Sequence, residues 1–200
     1  MSMFDNALSL IGPEPKPISN DEYRTRQNKL FSQFEEDDLL ILCSSPETIH
    51  SNDVHHPYRS QSDMIYLTGW YEPESVMIAQ FIDGKWSVTL FVQPKDTLKE
   101  IWEGRRPGVE GAIGGWPIDH AYSNSDLHER LTQSISKSSK IYHRTGIRSE
   151  IDSIVTDSIQ HRGRARQMAG SGPIAIEDPS SRIAELRLRK SPAEIDQMKY

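Results

Sequence analysis

The chain has 200 residues, 36% of them hydrophobic and 26% charged, with a formal net charge of −6. A chain of this length buries roughly 70% of its unfolded surface, so it needs neither a disulfide nor a metal to fold. The acidic balance argues against duplex nucleic acid as a partner, because phosphate binding relies on a basic face. The one local cluster, Arg162, Arg164 and Arg166, reads as a solvated helix end or a protein-facing patch.

Residues 1–18 carry Pro13, Pro15 and Pro17 and read as an extended lead-in. They show no basic region followed by an apolar core, and no apolar stretch in the chain approaches the ~20 residues of a membrane span. A cytoplasmic protein is therefore expected. Ser19 reads as an N-cap with Glu22 completing a capping box, and Tyr23, Gln27, Leu30, Phe31 and Phe34 recur at helical spacing. A helix is predicted over 20–35.

Leu39 to Cys43 is a continuous apolar run of strand length, as expected for a central strand covered on both faces. Cys43 is the sole cysteine, which excludes an intrachain disulfide, and its setting suits a small buried hydrophobe rather than a reactive thiol. Residues 44–60 read as a long connection broken by Pro46 and Pro57.

Strands are predicted at Met64–Leu67, Val76–Ile82 and Trp86–Val92, with Asp83-Gly84 as a hairpin turn between the last two. Short helices are predicted at 95–102 and 108–114, a helix at 126–137, a short strand at 141–143 and a longer helix at 149–166. Residues 170–179 read as a Gly/Pro-punctuated linker. The mixture of strands and dispersed helices favours an α/β sandwich, a mixed β-sheet flanked by helices.

Ser191-Pro192-Ala193-Glu194 combines an N-cap serine, proline at the first helical position and glutamate at the third. The helix it opens has about two turns before Tyr200, short of the roughly 12–15 residues a lone helix needs. The expectation is a chain cut just where a further domain begins.

No sequence pattern supports catalysis within these residues. There is no His-Glu-x-x-His, no Cys-x-x-Cys, no Gly-x-Ser-x-Gly elbow and neither phosphate-binding glycine motif. His50, Asp53, His55 and His56 form the one dense group of metal-ligand types. On a strand His55 and His56 point to opposite faces, which favours a polar loop with surface imidazoles over a metal site. Ser171, between Gly170 and Gly172, reads as linker.

Two blocks stand out. One is His56-Pro57-Tyr58-Arg59-Ser60-Gln61-Ser62-Asp63-Met64-Ile65-Tyr66-Leu67-Thr68-Gly69-Trp70-Tyr71-Glu72-Pro73-Glu74. The other is Leu90-Phe91-Val92-Gln93-Pro94-Lys95-Asp96 with Glu100-Ile101-Trp102-Glu103-Gly104-Arg105-Arg106-Pro107-Gly108. Both resemble the N-terminal domain of aminopeptidase P, of the creatinase/prolidase superfamily. Asp53 falls where that pattern has an acidic residue, and Leu186 to Ile195 resembles the family's lead into its catalytic domain.

The resemblance spans roughly residues 20–200. It implies a ribonuclease H-like N-terminal domain over 19–178, after an extended segment at 1–18, with a linker and the first residues of a "pita-bread" catalytic domain at 179–200. It also implies a parent Xaa-Pro aminopeptidase that releases the residue preceding proline. That enzyme's two metal ions, usually manganese, would be held by two Asp, one His and two Glu beyond Tyr200. No catalytic residue and no cofactor is therefore assigned to this chain, which is expected to be inactive alone.

The implied partners are its own catalytic domain and neighbouring subunits of a homodimer or homotetramer, with proline-containing peptides as substrate. Trp102 matches a tryptophan that reaches a neighbour's active site; the other reading is a core or helix-face aromatic. Arg105 and Arg106 are read as partner-carboxylate ligands or surface charges, and Asp53 as an interface partner of such an arginine or a backbone cap. Tyr66, Trp70 and Phe91 are expected in the core, and Gly69 and Gly104 at special backbone angles. Two alternatives stay open, a prolidase N-terminal domain and a stand-alone interaction module.

Overall fold

The computed structural model describes residues 17–52, 54–165 and 172–199, without the side chains of 103 and 162–165. The expected lead-in and the Asp53, Arg162, Arg164, Arg166 and Ser171 assignments lie wholly or largely outside the described residues and side chains. Helix α1 (Asn20–Phe31) opens on Ser19, whose hydroxyl accepts from the Glu22 amide at 3.3 Å. Strand β1 (Asp38–Cys43) follows and is buried at all six positions.

The 44–60 connection contains a two-stranded hairpin, β2 (Ile49–Ser51) and β3 (Val54–His55), that the sequence did not announce. Helix α2 (Ser62–Thr68) comes next. The strand expected at Met64–Leu67 is thus corrected to a helix. Four successive apolar residues fit a helix here because its circumference is enclosed: Met64, Leu67 and Thr68 enter the core, while the Tyr66 hydroxyl donates to the Leu186 carbonyl at 3.1 Å. Gly69 ends it at φ +69 in the left-handed region.

Strands β4 (Val76–Ile82) and β5 (Lys85–Val92) form the expected hairpin, turning through Asp83 and Gly84, both at positive φ. After α3 (Glu100–Glu103) and α4 (Gly108–Gly115) comes β6 (His120–Ser123), four residues too few to show a period. A 3₁₀ turn leads into α5 (Leu127–Ser136), then β7 (Lys140–His143) and α6 (Ser149–Ala165). The expected linker contains β8 (Ala175–Glu177) and precedes α7 (Ser180–Leu188) and α8 (Pro192–Lys199).

The six main strands lie in the order β6-β5-β4-β1-β7-β8. Strand β4 is antiparallel to its neighbours, and the other adjacent pairs run parallel. This is the expected mixed sheet flanked by helices. Leu40 and Leu42 of β1 join Leu30, Met64, Leu67, Trp70 and Ile183 in one helix layer. Leu39, Ile41 and Cys43 join Leu131, Ile135, Ile151 and Val155 in the other. The uninterrupted apolar run of β1 follows from the two covered faces. Trp70 and Phe91 are core residues and Tyr66 packs at the core's margin.

Candidate functional site

The strand directions bring the family-like blocks together. The carboxyl ends of β1, β5, β6 and β7 and the amino end of β4 share one edge of the sheet. In open α/β sheets this carboxyl edge is where loops carry function. Here it bears the 44–61, 69–75 and 93–107 segments.

The base of this end is closely hydrogen-bonded. The Ser44 amide donates to the Ser75 carbonyl and the Ser75 amide to Ser44 Oγ, both at 2.8 Å, extending the β1–β4 ladder by one rung. Trp70 Nε1 donates to Ser75 Oγ at 2.7 Å, and the Trp70 and Trp116 rings meet edge-on at 4.8 Å. Trp116 Nε1 donates to the Gly69 carbonyl at 3.1 Å. Glu74, at φ +55, accepts on its carbonyl from Asn124 Nδ2 at 2.6 Å and pairs with Arg148 at 3.4 Å. Burial holds the Glu72 carboxyl above its usual range, with Arg106 pulling the other way.

Upon this base the 93–107 segment projects. Asp96 Oδ1 accepts from the amides of Leu98 and Lys99 at 3.0 and 3.2 Å, and the Glu100 amide donates to the Asp96 carbonyl at 2.8 Å. That turn launches α3, which Gly104 closes at φ +88. The Arg106 amide returns to Glu100 Oε1 at 3.4 Å.

Its apolar residues face water: Leu98 is 75% exposed, Ile101 70% and Trp102 89%. Trp102 is therefore not a core aromatic within this chain. Arg105 is exposed beside it. Leu98 and Ile101 share the exposure of Trp102, and they are the only other large apolar residues between Lys95 and Trp102.

Asp53 lies outside the described residues, so its relation to Arg105 has no geometry. Among the described residues of this connection, Ile49 and Val54 are exposed, the His50 and His56 rings meet edge-on at 4.8 Å, and His55 Nδ1 lies 3.7 Å from Glu47. Among the described residues no three His, Cys, Asp or Glu side chains gather as a metal site. Cys43 lies in the core, where burial pushes its thiol up to about 12.

The aminopeptidase P N-terminal domain family matches residues 23–142. The chain belongs to this family. It is 31% identical over 179 residues to Xaa-Pro aminopeptidase of Escherichia coli, spanning 89% of this chain and 41% of that protein. It is 28% identical over 193 residues to human Xaa-Pro aminopeptidase 3, covering 90% and 37%. With intermediate cleaving peptidase 55 of Saccharomyces cerevisiae it shares 32% over 186 residues, 89% and 36% of the two chains.

Aminopeptidase P from E. coli in its low-pH form superposes with a TM-score of 0.82 at 30% identity, covering 90% of this chain and 41% of that one. The same enzyme with the inhibitor Pro-Leu gives 0.81 at the same identity and coverage. This chain thus spans about two fifths of the enzyme's length. The fold is that of the N-terminal domain of aminopeptidase P-type enzymes, as the two sequence blocks implied.

Proposed function

We propose that the chain serves as the non-catalytic N-terminal domain of a metal-dependent Xaa-Pro aminopeptidase, and that its 93–107 segment takes part in subunit assembly and substrate access. The exposure of Leu98, Ile101 and Trp102 on a turn fixed by Asp96 carries this reading. Three neighbouring large apolar side chains in water form a patch suited to burial against another protein surface. An indole contributes a large contact area with few rotors, which suits a channel wall in a neighbouring subunit.

In this reading residues 19–178 form the domain and 179–200 lead into the catalytic part. Two manganese ions and their ligands belong to the segment beyond Tyr200, and they supply charge stabilisation for hydrolysis of the bond before proline. Residues of the present chain contribute walls, partner contacts and exclusion of water rather than proton transfer. Arg105 meets a carboxylate of the neighbouring subunit in a homodimer or homotetramer. Similarity to enzymes named Xaa-Pro aminopeptidases supports the substrate class. Among the described residues no helix is long and apolar enough to cross a membrane. Our reading places the protein in the cytoplasm.

The deciding experiment compares this 200-residue chain with the full-length gene product on a fluorogenic Xaa-Pro peptide with added manganese. Activity confined to the full-length protein is expected. Activity in the short chain overturns the reading and returns attention to His50, Asp53, His55 and His56. Activity in neither favours the interaction-module alternative. Cleavage of dipeptides alone points to a prolidase.

A further inference from the structure

Two Ser-x-x-Glu capping boxes, 172 residues apart in sequence by their serines (191 minus 19), face each other in the fold. At α8 the box is complete: the Glu194 amide donates to Ser191 Oγ at 3.1 Å, and the Ser191 amide to Glu194 Oε2 at 2.9 Å. At α1 the Glu22 amide donates to Ser19 Oγ, but the Glu22 carboxylate turns towards α8. Its Oε1 accepts from Ser191 Oγ at 2.6 Å and from Arg26 Nη2 at 2.5 Å. The capping glutamate of α1 thus holds the capping serine of α8.

Arg26 is the centre of this joint. It is 6% exposed, donates to the Tyr66 carbonyl at 3.0 Å, and lies 4.4 Å above the Tyr66 ring. Glu194 Oε1 approaches it at 3.6 Å, so one guanidinium lies between the carboxylates of two helices. A buried cation is tolerated only when paired and hydrogen-bonded; Glu22 and the Tyr66 carbonyl do this for Arg26, and Glu194 adds a second, longer carboxylate contact from α8.

The apolar contribution to this docking is small. No residue of α8 is buried, and Ile195 and Met198 are exposed. A cavity of about 370 Å³ lies between α1, α7 and α8, lined in part by Arg26, Tyr66 and Glu194.

We infer that Glu22 and Arg26 form a polar latch that fixes the direction of α8, and with it the orientation of whatever follows this helix relative to the sheet domain. Buried ion pairs often add little net stability, and in some proteins they set register instead. The latch gives a helix with no buried residue a defined place to lie. The inference extends the domain reading above, because an onward catalytic domain is what the latch would orient.

The test is amide hydrogen exchange on the full-length gene product, comparing wild type with Arg26→Gln, Arg26→Lys, Glu194→Gln and the Arg26→Gln/Glu194→Gln double variant. Arg26→Gln is expected to speed exchange of the 195–199 amides at least about threefold while β1, β4 and β5 keep wild-type protection, with Arg26→Lys intermediate. The double variant is expected to exchange no faster than Arg26→Gln alone. Wild-type protection of 195–199 in Arg26→Gln overturns the latch. So does a uniform rise that includes the strands, or additive effects in the double variant. Exchange is read without enzymatic activity, so an inactive wild-type product would defeat the peptidase reading and leave this result decisive for the latch.

Discussion

The indole N–H of Trp70 donates to Ser75 Oγ at 2.7 Å inside the core, beneath the loops that carry the family motifs. Ser75 Oγ also donates to the Pro73 carbonyl at 3.0 Å, so this hydroxyl ties the core tryptophan to the turn ahead of β4. Ser75→Ala removes the acceptor and leaves a buried donor unpaired, a loss of about 1–3 kcal/mol. Urea unfolding should show the drop. A change below about 0.5 kcal/mol would mean that another acceptor takes over.

Gly69 and Gly104 separate two causes of glycine preference. Both have positive φ, but a Cβ on Gly69 would stand 2.8 Å from the Tyr23 hydroxyl oxygen, whereas a Cβ on Gly104 meets nothing within 4 Å. Gly104, at ψ 169, lies where essentially only glycine goes, so Gly104→Ala carries backbone strain of about 1–3 kcal/mol, while Gly69→Ala adds the clash to left-handed strain. Adding Tyr23→Ala should recover part of the melting-temperature loss of Gly69→Ala. No recovery would refute the steric component.

Trp102→Ala tests the exposed segment. Because the side chain is 89% exposed, the unfolding free energy of this chain should change by no more than about 0.5 kcal/mol in urea titration. In the full-length product the same change is expected to weaken subunit association or peptide turnover at least about tenfold, as removal of an interface anchor does. Unchanged sedimentation and unchanged kinetics together would remove Trp102 from the functional reading.

Cys43 gives a chemical probe of the core. Burial raises its thiol from the ordinary 9.0 to about 12, so a disulfide reagent at pH 8 should label the native chain slowly and the urea-unfolded chain at once. The neutral thiol favours the fold. Its contribution is complete below pH 9 and declines as pH rises towards 12, by about 1.4 kcal/mol per pH unit from this group. Rapid native labelling at pH 8 would place Cys43 at an accessible surface.

Asp38 gives the acid-side counterpart. Its carboxyl is raised above the ordinary 3.8 chiefly by burial, despite accepting from the Glu35 amide at 2.9 Å. A raised carboxyl stabilises the fold most below its unfolded pKa and loses that contribution as pH climbs through the folded value. Asp38→Asn retains the acceptor without the charge. Its melting temperature relative to wild type should therefore rise between pH 3.5 and pH 7. A difference independent of pH would contradict the shift.

The sequence by itself determined the central features. The unbroken Leu39 to Cys43 run pointed to a strand covered twice, Asp83-Gly84 to the β4–β5 hairpin, and the helices expected at 126–137 and 149–166 correspond to α5 and α6. Those signals are local, arising from period, turn chemistry and caps. The family was legible in the Trp70 and Trp102 blocks. Only tertiary structure decided Met64–Leu67, because four apolar residues in a row suit a strand or an enclosed helix equally until neighbours are in place. The same holds for β6 and β8, too short for a period and stabilised by parallel partners remote in sequence. It also decided that Trp102 faces water and that Glu22 holds Ser191, since exposure and pairing across 169 residues depend on chain crossings that no local pattern records.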